Sequence, residues 1–118
     1  MNQHRKINAI SLIGKSGNEY FFYLRKLDHD FSKNKTFKST PALFLITKTF
    51  IKDSLVKHNI LHHGKIVDLS KFSILQKEKT ELLKKGATHV CFFSRKNPNE
   101  VEKAESDLLI TLKELTLK

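Results

Sequence analysis

Cysteine is almost missing from this chain: Cys91 is the only one in 118 residues. No internal disulfide can form, and the chain fits a reducing compartment. No apolar run approaches the ~18 residues that a membrane-spanning helix needs. The first six residues are polar with no hydrophobic stretch behind them, so no secretory signal is expected and the expected location is cytoplasmic. Acids are few, 12 against 22 basic residues, and only Arg5, Arg25 and Arg95 among the basic ones are arginine. That scarcity disfavours bidentate reading of base edges, which arginine performs better than lysine.

What is present is ordinary globular material, 39% hydrophobic and 29% charged, enough for one domain with a core. The formal charge of +10 attracts polyanions: nucleic acid or an acidic protein. Residues 1–60 hold eleven basic and four acidic residues, whereas 61–118 hold eleven and eight. Between Phe31 and Lys52 the lysines at 33, 35, 38, 48 and 52 meet no acid. A docking polyanion is expected at Lys33, Lys35, Lys38, Lys48 and Lys52, with Lys65 and Lys71 as further candidates. Its binding is expected to be weak and non-specific.

Two β-rich stretches, 7–13 and 19–27, flank the string Gly14-Lys15-Ser16-Gly17-Asn18 and predict a hairpin. A polar loop over 28–40 follows, then a nearly continuous apolar strand over 42–47, of the kind covered on both faces. A weaker strand over 59–63 is expected to stop at Gly64. Asp68 reads as an N-cap, with Leu69, Phe72, Leu75, Leu82 and Leu83 at helical spacing and Gly86 past the end. Residues 89–94 form a strand, and Asn97-Pro98 opens a last helix with Val101, Ala104, Leu108, Leu109, Leu112 and Leu115 on its apolar stripe. No repeat or linker interrupts the chain. The order ββ-loop-ββαβα predicts an α+β domain, a mostly antiparallel sheet with two helices packed on it.

Several local patterns invite chemistry. Gly14-Lys15-Ser16 looks like part of a phosphate loop, but Ala9 stands where the motif needs glycine and a strand follows where it needs a helix. A hairpin turn is the better reading. His58, His62 and His63 could hold a metal, yet consecutive strand residues point to opposite faces and no cysteine or carboxylate completes a set. Cys91 alternates within a strand as a core thiol. Glu105 falls on the stripe of Val101, Leu108 and Leu112, where a bare carboxylate is costly and so demands a partner or solvent.

The order of these strings resembles the GIY-YIG endonuclease superfamily, in particular small bacterial domains with an extra N-terminal hairpin. The resemblance makes 7–27 the hairpin and 42–112 the nuclease-like core. It sets Phe44 and His62 where the family has its tyrosines, Phe72 at its arginine, and Glu105 at its metal-binding glutamate; Gly64 and Glu105 alone match. It therefore implies a degenerate domain that cleaves little or nothing, needs no cofactor, and binds nucleic acid through its basic surface. The resemblance also brings the second short motif and the first helix beside the last helix, so it implies His62 or Lys71 as the partner of Glu105. A divalent metal would be held, by Glu105, only if nuclease activity persisted. The alternatives are the same fold reused as a protein-interaction module and a residual metal-dependent endonuclease.

Overall fold

A computed structural model describes residues 9–27 and 38–116. Five strands, β1 (Ala9–Ile13), β2 (Glu19–Lys26), β3 (Ala42–Lys52), β4 (Leu55–Ile66) and β5 (His89–Ser94), form one sheet in the order β1-β2-β5-β3-β4. All its ladders are antiparallel. The expected α+β class and element order hold. Helix α1 (Gln76–Lys84) and helix α2 (Pro98–Leu115) lie on opposite faces of the sheet.

The strand alternation produces that arrangement. Ile10, Leu12, Phe22, Leu24, Leu43, Leu45, Cys91 and Phe93 point to one side and bury Val101, Ala104, Leu108 and Leu112 of α2. Their neighbours Ala42, Ile46, Val90 and Phe92 point to the other, where Leu69, Phe72, Ile74 and Leu82 cover them. The α2 stripe is narrower than its spacing suggests, since Leu109 and Leu115 remain exposed. Asn97 caps α2 by accepting from the Asn99 N–H at 2.9 Å, with Pro98 in the first turn as expected.

Two expected boundaries are corrected. The weak strand does not stop at Gly64: β4 runs through it to Ile66, and β3 continues to Lys52, pairing with β4 to the tip of the hairpin. Gly64 is instead the seat of a ring, because a Cβ there would meet Phe44 Cε1 at 2.6 Å. The helix expected from Asp68 is split. Asp68 caps a single 3₁₀ turn, Leu69–Lys71, by accepting from the Ser70 N–H at 3.0 Å, and its other oxygen accepts from Ser39 Oγ at 2.9 Å. The chain then runs extended, burying part of Phe72 and Ile74 in alternation and leaving Leu75 exposed. The spacing of Leu69, Phe72 and Leu75 imitated a helix over a segment whose true period is two. Gly86, at φ 93°, ends α1 as expected.

Candidate nucleic-acid interface

The four positions singled out by the nuclease resemblance do not converge. Phe44 lies 5.7 Å, centroid to centroid, from both His62 and Phe72, and Phe72 stands edge-on to Phe92 at 4.9 Å. Phe44, His62 and Phe72 border a cleft of about 290 Å³ on the α1 side, with Glu78, Glu81 and Lys85 also lining it. Glu105 is across the sheet. Its Oε1 lies 3.5 Å from Lys65 Nζ, which also reaches Glu102 at 3.8 Å. The expectation that Glu105 meets His62 or Lys71 is therefore corrected. Gly64 and His62 share Phe44's side, so Lys65, between Gly64 and Ile66 in β4, points toward α2. Lys71 sits in the 3₁₀ turn packed on the α1 side.

The Gly14-Lys15-Ser16 turn is a hairpin turn, and its donors are taken by the chain itself. Asp107 of α2 accepts from the Ser16 N–H at 2.8 Å, Ser16 Oγ at 2.5 Å and Tyr20 Oη at 2.7 Å. Its backbone carbonyl accepts from the Lys15 N–H at 2.9 Å. A Cβ on Gly14 would stand 2.3 Å from Asp107 Oδ2, so only glycine admits the carboxylate. The Ser16 and Tyr20 hydroxyls hold the Asp107 carboxyl below its ordinary value, while burial and this carboxylate raise the Tyr20 phenol. Sequence reading missed Asp107 because it sits beside the stripe, not on it. The turn that resembles a phosphate loop binds an anion after all, an internal one.

The histidines separate as the alternation requires. His58 Nδ1 lies 2.9 Å from Thr49 Oγ1, which meets the buried Thr47 Oγ1 at 2.9 Å. Burial, reinforced by the charge of nearby His89, lowers the His58 imidazole. Among the described residues no three His, Cys, Asp or Glu side chains gather around a common point for a metal. Cys91 is fully buried, and burial pushes its thiol up to about 12.

The basic residues are spread, with one concentration. Lys33 and Lys35 lie outside the described residues. Lys48 and Lys52 are exposed on β3, with Lys48 Nζ 5.8 Å from the Phe50 ring, and Lys65 is engaged by α2. Lys38 borders a cavity of about 440 Å³ where Tyr23 and Phe92 meet Leu69. Arg25, Arg95 and Lys96 also line it, and among the described residues no acid does. The Arg95 guanidinium lies 4.2 Å from the Phe93 ring, on the α2 side, where Glu19 and Glu100 border a second hollow with it. It donates to the Ser94 carbonyl at 2.8 Å, so Arg95 stands at the sheet edge between the two hollows. Acids concentrate elsewhere: α2 carries five with two lysines, while the other described residues carry five with fifteen basic side chains. The cavity opens on the side of the sheet away from α2.

No family model, no curated protein and no solved structure matches this chain.

Proposed function

We propose that this domain binds nucleic acid through its phosphates, on the side of the sheet opposite α2, without reading sequence and without cleaving the chain it holds. The observation that carries this reading is the cavity bordered by Arg25, Lys38, Arg95 and Lys96 with no acid among its described lining residues. Four cations around one hollow lie within about a Debye length (~8 Å at physiological salt) of a shared ligand and act on it together. The scarcity of arginine supports contacts to the backbone over contacts to base edges. Glu105, paired with Lys65 across the sheet from Phe44 and His62, supports the non-cleaving reading, since a base and a metal-bound phosphate must share one pocket. The order of elements supports an origin in the GIY-YIG superfamily with its chemistry lost, and the lone buried thiol supports a cytoplasmic setting.

The test is fluorescence anisotropy with labelled oligonucleotides across a salt series. Each phosphate neutralised contributes a slope of about −0.7 to −0.9 in log K against log salt. The triple variant Lys38→Gln, Arg95→Gln, Lys96→Gln is expected to lessen that slope by roughly 2 to 3. A chain that ignores every oligonucleotide at about 50 mM salt sinks the proposal.

A further inference from the structure

The same face carries a second feature that phosphate binding does not use. On β1 and β2 the side toward α2 is filled by Ile10, Leu12, Phe22 and Leu24. Their alternates Ser11, Ile13, Phe21 and Tyr23 face the other way, where, among the described residues, the cluster under the 3₁₀ turn and α1 takes in Phe92 and, past the end of β2, Leu27, but none of these four. Phe21 is 49% exposed and Tyr23 60% exposed. Two aromatic rings thus stand open on a sheet surface, and Tyr23, paired with Phe92 across β2 and β5, also forms a wall of the basic cavity.

We propose that this open half of the sheet is a stacking platform for single-stranded nucleic acid, with Phe21 and Tyr23 each taking a base while Lys38, Arg95 and Lys96 hold the flanking phosphates. This rests on the nucleic-acid reading above and names its substrate class.

Three observations select a single strand as the occupant. Aromatic faces bind bases in a sequence-tolerant way and act only on bases that are not already stacked in a duplex. Phe21 and Tyr23 are two residues apart on one strand, so their rings rise from points about 6.8 Å apart. That is twice the ~3.4 Å step of a stacked strand, so neighbouring bases reach both rings only when the strand is drawn out of its own stack. The charge is complementary as well, because Lys38 and Lys96 border the adjoining cavity and no acid among the described residues lines it. A protein partner would exploit the rings but has no comparable use for these two lysines.

The experiment compares a single-stranded oligothymidylate and an oligouridylate of about 12 nucleotides, within the usual site sizes, with a duplex of equal length. At about 150 mM salt the single strands are expected to bind at least ~10-fold tighter than the duplex. Phe21→Ala and Tyr23→Ala are each expected to weaken single-strand binding about 5- to 150-fold while leaving the salt slope unchanged, since no phosphate contact is removed. Tyr23→Phe, which keeps the ring, restores wild-type binding. Both rings are exposed, so the variants should melt as the parent does, and circular dichroism checks that. Equal affinity for duplex and single strand, with alanine variants unaffected, overturns the platform and leaves the basic-face reading standing. No salt-dependent binding to any of the oligonucleotides overturns both.

Discussion

Gly64 offers a sharp test of the packing described here, because the cost of filling it can be worked out from one neighbour. The Phe44 ring occupies the space its side chain would take: a Cβ at Gly64 would lie 2.6 Å from Cε1 and 2.8 Å from Cζ. The ring could yield only by moving into the cleft it borders or toward His62 and Phe72, whose rings both lie 5.7 Å away. Overpacking of this kind costs roughly 1–3 kcal/mol. Against it stands the ~0.4–1 kcal/mol gained because alanine restricts the unfolded chain more than glycine does. Gly64→Ala should therefore destabilise by about 0.5–2 kcal/mol, the steric term winning. At about 0.25 kcal/mol per degree for a chain of this length, the melting midpoint should fall by roughly 2–8 °C. The decisive measurement is a double-mutant cycle with Phe44→Ala, followed by urea unfolding. In that background the ring is gone, and Gly64→Ala should become neutral or stabilise by up to ~1 kcal/mol. An equal penalty in both backgrounds would refute the ring-seat account.

Other expectations follow from single sites. The lowered Asp107 carboxyl contributes stability that is complete above the ordinary aspartate value, about pH 4, and is lost as pH falls through its folded value; urea midpoints should decline there in the parent, and Asp107→Asn should remove that part of the decline. Cys91, buried with its thiol pushed up to about 12, should resist iodoacetamide in the native state and react once urea unfolds the chain; alkylation at the native rate of an exposed thiol would contradict its burial. Glu105→Ala breaks a partly exposed ion pair with Lys65 and should cost under about 1 kcal/mol. Incubation of plasmid and RNA with Mg²⁺ or Mn²⁺ should show no cleavage, and cleavage that vanishes in Glu105→Ala would overturn the non-cleaving reading.

The strands and the last helix were legible in the sequence because their signals are local. The run Ala42, Leu43, Phe44, Leu45, Ile46 reads as a strand buried on both faces, and Asn97-Pro98 reads as a helix start. Four features were not legible, each for a physical reason. The segment after Asp68 carries apolar residues at 69, 72 and 75, a spacing that fits a helix, but tertiary packing chose Phe72 and Ile74 instead. The faces taken by the two helices depend on how the sheet closes, and nothing within either helix encodes that. The partner of Glu105 followed from that choice: with α2 opposite the Phe44 side, the residue in reach is Lys65 and not His62. The basic residues that gather near Tyr23 come from β2, the approach to β3 and the end of β5, so no window of sequence shows them together.

The sidedness of the fold also explains why one face is the place to look for a ligand. A sheet of alternating strands has two chemically independent surfaces, and α2 brings five acids to one of them. One of these, Asp107, is spent on the hairpin turn, and two, Glu102 and Glu105, engage Lys65. A polyanion approaching that surface meets repulsion from the helix and a lysine already held. On the opposite surface, among the described residues, the covered cluster takes in Phe92 and Leu27 but leaves Phe21 and Tyr23 exposed near Lys38 and Lys96. On the proposed reading, long-range steering would turn the domain so that its open aromatic side meets a polyanion first. Charge would then decide which face arrives, and the rings whether a single strand stays.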